Sequence, residues 1–358
     1  MRFDSALEVQ AKVFREVFDF VPMAAAAGFD GLETDIFVDP VLLEESPQKT
    51  RSRRSAGKRA VEDIALGITE SESGGETAKL AVLVQNRLQM KDKVIDRICA
   101  MAKDEIDVTY IGRQKPLWTQ TRLNPLRLGG SVSPVTVTYA GTLGCFCRDN
   151  LTGADCVLSN NHVLADVNRV PVGTRIKQQG HLDGGLSGPD DIAELLRYVP
   201  IQFGGMPNSV DAAAARLTTH SRNEDRAGLY DASTPPLLMA SLNPAAPATA
   251  FPSMKVQKTG RTTCHTVGKV RAVNVNNYLV NMGIGVARFD GQIVIEMDMS
   301  PARPFSRPGD SGSVIVDAAG NPVGLLFAGS ASGGAGNLGF TGANPISMVT
   351  AQLGVTLI

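Results

Sequence analysis

Gly309-Asp310-Ser311-Gly312-Ser313 sets a serine in a glycine-flanked turn with an acid directly before it. A serine hydroxyl is a poor nucleophile at neutral pH and needs a base to take its proton. Attack on a carbonyl also creates an oxyanion, which needs hydrogen-bond donors. Glycines on both sides let the backbone bend sharply and aim N–H groups at one point. Taken alone the pentapeptide reads equally as a surface turn, so its meaning depends on what the rest of the chain supplies.

A base is present upstream. Cys156-Val157-Leu158-Ser159-Asn160-Asn161-His162-Val163-Leu164-Ala165 reads as a buried strand running into a short turn that carries one of only four histidines. Alone, such a histidine is more often a satisfied core residue than a functional one. In Asn208-Ser209-Val210-Asp211-Ala212-Ala213-Ala214-Ala215 an aspartate enters a run of small apolar residues, where an unpaired charge is costly. A carboxylate there needs a partner, and an imidazole N–H is a natural one; the bland reading is a turn or cap residue.

The order His162, Asp211, Ser311, each beside strand-like apolar sequence, resembles the chymotrypsin-like serine peptidases. The resemblance runs from about residue 135 to residue 358. It includes Asn321-Pro322-Val323-Gly324-Leu325-Leu326-Phe327-Ala328-Gly329-Ser330, which looks like the strand lining the primary specificity pocket. It implies a mainly β fold: two six-stranded antiparallel barrels, the first over about 130–225 and the second over about 250–358. Lys258-Thr259-Gly260-Arg261-Thr262-Thr263 further resembles a Gly-Arg-Thr-Thr segment of the bacterial members. There the arginine pairs with the aspartate before the serine, which implies an Arg261–Asp310 ion pair supporting the oxyanion loop.

By the same resemblance, Ser311 is the nucleophile, His162 the general base and Asp211 its orienting partner. The N–H groups of Gly309 and Ser311 form the oxyanion hole, and no metal or organic cofactor is required. Phe305 falls at the pocket base and Phe327, Ala328 and Gly329 on a wall. No acid stands at the base, which disfavours cleavage after Lys or Arg and favours a hydrophobic or medium-sized residue before the cut. The implied activity is endopeptidase cleavage of a protein or peptide substrate. The alternatives are a catalytically silent binding or scaffolding module, and a latent enzyme awaiting an activating partner at its N-terminal part.

The chain also departs from that pattern. Val163 stands where extracellular members have a bridging cysteine, Cys264 takes a glycine place, and Val267 lies near a second cysteine place. The five cysteines, Cys99, Cys145, Cys147, Cys156 and Cys264, are an odd number without those bridges, which points to reduced thiols and a cytoplasmic setting. Cys147 and Cys156 flank a stretch that reads as a hairpin turn, so a disulfide or a zinc site with Cys145 stands as the alternative reading; the ligand set for zinc is incomplete.

Composition agrees with this setting. The chain has 358 residues, 43% of them hydrophobic, and a formal net charge of −1. It is long enough for more than one domain and has no electrostatic case for nucleic acid. Asp4 and Glu8 interrupt what would have to be the apolar part of a secretion signal. No stretch approaches 18 uncharged apolar residues, so no membrane span is expected.

The first third differs in kind. Over residues 5–21, Leu7, Phe14, Phe18 and Val21, with Val9, Val13 and Val17 beside them, recur at helical spacing. Their wide apolar face docks either on its own chain or on a second copy or partner. Residues 1–47 are read as this helical segment followed by an acidic stretch. Residues 48–77 are a basic and polar linker, with Arg51, Arg53, Arg54, Lys58 and Arg59 near its start. Residues 78–124 form a small α/β module and connector, with strands at 79–84 and 106–111 around a helix at 91–102. The peptidase-like region then fills 125–358. The Gly- and Asp-rich loop 181–191 lacks calcium-loop spacing and reads as a loop near the cleft. His181, His220 and His265 are read as non-catalytic.

Overall fold

The computed structural model describes residues 1–19, 61, 63–70, 77–112, 117–218, 222–298 and 303–358, in two compact units, Met1–Lys115 and Pro116–Ile358. The acidic stretch, the basic run at 48–59, most of the Ser- and Gly-rich segment after residue 70, and His220 lie outside the described residues. No helix among the described residues is long and apolar enough to cross a membrane.

In the first unit a helix, α1 (Phe3–Val13), continues into a wider turn at Phe14–Phe18. A three-stranded sheet follows, β1 (Ile64–Glu70), β2 (Ala78–Val84) and β3 (Ile106–Tyr110), in the order β1-β2-β3. The β1–β2 pair is antiparallel and the β2–β3 pair parallel. A parallel pair needs a crossover, supplied by α2 (Lys93–Met101), whose start is capped by Asp92 Oδ1 accepting from Val94 N at 3.0 Å. Strand β1 corrects the assignment of 48–77 to a linker. Ile64, Leu66 and Ile68 alternate with small residues, a period-two pattern masked by the polar runs on either side. Leu80, Val82 and Val84 are fully buried and pack with Val13, Phe18, Ile95 and Ile98. The first helix therefore docks on its own sheet, while Phe3 and Leu7 remain exposed. The Met1 ammonium is engaged locally, 2.7 Å from Glu105 Oε2.

The second unit opens with a short turn, Trp118–Gln120, that packs on this unit: Trp118 Nε1 donates to Asp231 O at 2.6 Å. Residues 117–124 thus belong here structurally and not to the α/β module. Next come β4 (Ser131–Pro134), β5 (Gly141–Thr142), β6 (Cys145–Asp149), β7 (Asp155–Ser159), β8 (Arg175–Lys177), β9 (Asp191–Tyr198) and β10 (Ala213–Leu217). With the C-terminal strand Val355–Leu357 added beside β6, they make an eight-stranded sheet that runs β6-β7-β10-β9-β8-β4-β5 from that strand. Its far strand, β5, runs directly into β6 through Leu143 and Gly144. Leu143 N donates to Gly130 O at 2.8 Å on one side, and Gly144 N to Leu158 O at 2.9 Å on the other. One bent strand therefore serves both edges and rolls the sheet up. Counting β5 and β6 as that strand recovers the six expected strands, with Val355–Leu357 as an addition. Glycine is needed at the bend, because a Cβ on Gly144 would lie 2.2 Å from the carbonyl oxygen of Gly312.

A closed barrel follows, formed by β11 (Lys255–Gly260), β12 (Cys264–Val275), β13 (Gln292–Met297), β14 (Val314–Asp317), β15 (Pro322–Gly329) and β16 (Thr341–Pro345). Its interior is filled by residues such as Val256, Ile293, Ile295, Ile315 and Leu326, and full closure leaves no open edge. Phe305 belongs to this core and is 3% exposed. That corrects its placement at the base of a pocket: an apolar ring beside a barrel gains more from burial in the core, about 1.5–3 kcal/mol, than from lining a wet cleft. The helix Ile346–Leu353 then packs Ile346, Val349 and Leu353 into the core of the rolled sheet. The chain end pairs with β6, tying the two β bodies of this unit together.

Cys147 and Cys156 sit opposite each other across β6 and β7, and all five cysteines are free thiols.

Candidate active site

Strand β7 ends at Ser159 and the chain makes one helical turn, Asn161–Leu164, which presents His162. Asp211 lies just before β10 and is fully buried. Its Oδ2 is 2.5 Å from His162 Nδ1, and its Oδ1 accepts the His162 backbone N–H at 3.1 Å. One carboxylate therefore holds both the ring and the main chain of the histidine, which orients the ring with Nε2 as its free nitrogen. The Tyr139 hydroxyl donates to His162 O at 2.9 Å. Burial and the neighbouring Asp166 push that phenol well above its usual range, so it stays a donor.

Asp211 is itself held by two asparagines that the sequence reading passed over. Asn160 Nδ2 donates to Asp211 O at 2.7 Å, and Asp211 N donates to Asn344 Oδ1 at 3.0 Å. Asn344 Nδ2 in turn donates to Gln292 Oε1 at 2.6 Å. Both asparagines are fully buried. Their signal was available, since an amide inside an apolar strand or at its end must find partners, but the partners lie far away in the chain.

The serine turn meets the rolled sheet at Thr142. Thr142 N donates to Ser311 O at 2.9 Å, and Thr142 Oγ1 donates to Gly309 O at 2.8 Å. Gly309 and Gly312 have φ of +95° and +97°, a region that disfavours any side chain. A Cβ on Gly312 would also lie 2.1 Å from Ser159 Oγ. The N–H groups of Gly309 and Ser311 donate to no acceptor among the described residues. Ser311 is half-buried, and it shares with His162 a cleft of about 650 Å³. A second cleft, of about 290 Å³, also contains His162, Ser311 and Gly309. Histidine and serine thus lie where the two clefts meet. No hydrogen bond joins the Ser311 hydroxyl to His162 among the described residues.

The expected Arg261–Asp310 pair does not form. Arg261 makes a bidentate pair with Asp183, Nε to Oδ2 and Nη2 to Oδ1, both at 2.6 Å. Asp310, fully buried, accepts from Thr262 N (2.8 Å), Thr263 N (3.1 Å), Thr263 Oγ1 (2.7 Å) and Arg307 N (2.9 Å). Its counter-charge is Lys258 Nζ at 3.4 Å, also fully buried. The tight connection from Gly260 to Cys264, which pair across β11 and β12, explains the exchange. It turns the N–H groups of Thr262 and Thr263 onto Asp310 and leaves the Arg261 side chain to the 181–183 turn. Burial pushes the Lys258 pKa down, against the pull of Asp310.

The larger cleft is lined by Phe327, Ala328 and Gly329, and also by Tyr278, Met282 and Ser306. Arg307 is its one charged lining residue among the described residues, and no carboxylate faces it. Phe327 packs against Phe289, with ring centroids 4.7 Å apart.

His265 Nε2 donates to Gln257 Oε1 at 2.9 Å. Burial, then Lys258 and Arg303, push its pKa to about 4, so it is neutral at physiological pH. His181 is also shifted down, by burial and by Lys177. Neither meets an acid and a nucleophile.

A closed six-stranded barrel beside a rolled six-strand sheet, with the histidine and aspartate on one and the serine turn leading into the other, is the architecture the sequence resemblance implied. The chain resembles the bacterial chymotrypsin-like serine proteases. No protein-family model matches it, and no curated protein does. Solved structures similar to it include a glutamic acid specific serine protease (22% identity, TM-score 0.44), covering 65% of this chain and 100% of that one. Thermobifida fusca protease A (15%, TM-score 0.43) and Nocardiopsis protease (16%, TM-score 0.45) each cover 65% of this chain and 99% of their own. At these identities the likeness does not extend to chemistry or specificity, which rest on the residues above.

Proposed function

We propose that the chain is a serine endopeptidase. The observation that carries this reading is the His162–Asp211 pair sharing a cleft with Ser311 beside two N–H groups without acceptors. In this mechanism Ser311 Oγ attacks the scissile carbonyl while His162 Nε2 takes its proton. Asp211 keeps Nδ1 protonated and stabilises the imidazolium that forms. The N–H groups of Gly309 and Ser311 receive the oxyanion; loss of one such donor typically costs about 3–4 kcal/mol in the transition state. His162 then returns the proton to the leaving amine, and water repeats the sequence on the acyl-enzyme.

The aromatic wall and the lack of a carboxylate among the described lining residues support cleavage after a hydrophobic or medium-sized residue. A peptide panel in which Lys or Arg is clearly preferred at that position would refute this specificity. The odd number of cysteines, with Val163 at the place of a bridging cysteine, supports a reducing, cytoplasmic setting. The exposed Phe3 and Leu7 support self-association or an activating partner at the N-terminal unit; a monomer at high concentration with no change on adding cell extract speaks against both.

A second reading is a catalytically silent binding or scaffolding module, favoured by the Ser311 hydroxyl's lack of a bond to His162. Catalytic hydrogen bonds are often loose without substrate, so labelling decides between the two readings. Fluorophosphonate should add once to wild type and not to Ser311→Ala, read by intact mass. A folded wild type that takes no label, either alone or with cell extract added to supply an activating partner, sinks the endopeptidase reading.

A further inference from the structure

Arg261 was expected to act on Asp310, and its engagement by Asp183 leaves the role of that pair unassigned. The two side chains are 9% and 7% exposed, and Asp183 belongs to the 180–190 loop between two strands of the rolled sheet. Asp183 Oδ2 also accepts from Ser131 Oγ, so the carboxylate is anchored to the start of β4. The bidentate contact occupies Nε and Nη2 of Arg261 and fixes the guanidinium plane. The remaining nitrogen, Nη1, then lies against the serine turn. It would be 2.7 Å from a Cβ on Gly309, and it donates to Thr262 Oγ1 at 3.4 Å. Thr262 Oγ1 donates onward to Pro308 O at 2.7 Å.

That last contact matters because the peptide unit is planar and trans. The carbonyl of Pro308 and the N–H of Gly309 belong to the same unit and point in opposite directions. Holding Pro308 O toward Thr262 therefore aims the Gly309 N–H away from it. Rotation of this one peptide would remove a donor from the oxyanion hole without disturbing Ser311, His162 or Asp211.

We infer that Asp183 and Thr262 are positioning residues for the oxyanion hole: Asp183 orients Arg261, and Arg261 and Thr262 together lock the Pro308–Gly309 peptide. The inference rests on the endopeptidase reading for its kinetic consequence but not for its structural one. The relay is carried by the 180–190 loop of one β body and acts on the serine turn of the other. Lys258 neutralises Asp310 independently, so the relay sets donor direction and leaves the buried charge balanced.

The test uses the full chain with Asp183→Asn, Thr262→Val and Thr262→Ser. The Asn variant keeps the size of the side chain but loses the second acceptor of the bidentate pair. The Val variant leaves that pair intact and cuts only the relay. Both should lower kcat on a peptide ester by tenfold or more, with KM within twofold of wild type, and Thr262→Ser should restore kcat. Because the donor acts only on the transition state, a general loosening of the cleft would instead raise KM. Backbone hydrogen exchange read by mass spectrometry provides an arm that needs no activity. Peptides spanning 261–264 and 306–313 should exchange faster in Asp183→Asn, with peptides over β9 and β10 unchanged. Wild-type exchange in both segments overturns the inference whatever the activity; so does an unchanged kcat in a wild type that turns over. If wild type neither labels nor turns over, either alone or with cell extract added, the endopeptidase reading fails, and exchange alone still decides the relay.

Discussion

Replacing Lys258 with methionine tests the charge balance on which the serine turn depends. Methionine approximates the length of the lysine stem, so packing inside the barrel is nearly kept and the ammonium is the main loss. Asp310 then remains buried with no cation on its oxygens, because Arg261 is engaged by Asp183. Breaking one partner of a buried pair typically costs about 3–5 kcal/mol. Four donors still reach the Asp310 carboxylate after the substitution, and hydrogen bonds to a charged group are the stronger ones, so the low end, about 3 kcal/mol, is expected. Asp310→Ala should cost more, nearer 5 kcal/mol. It leaves Lys258 Nζ with only Thr263 Oγ1 and Cys264 O and removes the acceptor that folds Thr262, Thr263 and Arg307 onto the turn. The double variant Lys258→Met/Asp310→Ala should cost less than the sum of its singles, since neither charge is then stranded.

Urea unfolding at pH 7 measures all three, with an unchanged slope showing that the denatured state is the same. In a scan, 3 kcal/mol corresponds to about 6–12 °C for a unit of this size. The decisive comparison is with Arg261→Met. If Lys258→Met stays within about 1 kcal/mol of wild type while Arg261→Met costs about 3 kcal/mol or more, and Asp183→Asn in the Arg261→Met background recovers none of that loss, the counter-charge of Asp310 is Arg261 after all, and both the ion-pair exchange and the relay through Asp183 are refuted.

Two further outcomes follow from buried polar groups. His265 has its pKa pushed from 6.5 to about 4. The unfolded chain therefore takes up its proton first as pH falls: the stability it supplies is complete above pH 6.5 and lost by pH 4, about 3 kcal/mol at about 1.36 kcal/mol per pH unit. His265→Gln, which can still meet Gln257, should narrow its gap to wild type across that window; a gap that stays constant from pH 7 to 4 contradicts the assignment. Asn344→Ala strands the Asp211 N–H and Gln292 Oε1, each a loss of about 1–3 kcal/mol. It should slow fluorophosphonate labelling by more than it weakens reagent binding; labelling at the wild-type rate in a folded variant would separate Asn344 from the site.

What the sequence made legible is what residue type and local spacing carry. A serine between glycines that need positive φ, a histidine at the end of an apolar strand and an aspartate entering an alanine run each announce a polar group that requires a partner. Partner identity is another matter. Lys258 follows Val256 at a spacing of two on a strand of the second barrel, so period-two reasoning alone could have marked it as an inward-facing cation needing a carboxylate. The resemblance of Gly260-Arg261-Thr262-Thr263 to a known segment instead directed Asp310 to the nearer and more familiar arginine. Once Lys258 is inside, a second cation on Asp310 would leave a surplus buried charge, and Arg261 must find an acid elsewhere. The 180–190 loop supplies one, but nothing local to residue 261 says so, because that contact closes across 78 residues of chain. Phe305 failed for a related reason: alignment to the serine turn fixes how far along the chain a residue lies, while the choice between core and cleft is made by what packs around it, here Gly268, whose missing Cβ makes room for the ring. Strand β1 was lost to its polar neighbours, since alternation over seven residues is weak evidence until the partner strand β2 is in place. In each case the sequence marks the need, and the long-range fold, which no window of sequence contains, decides which group meets it.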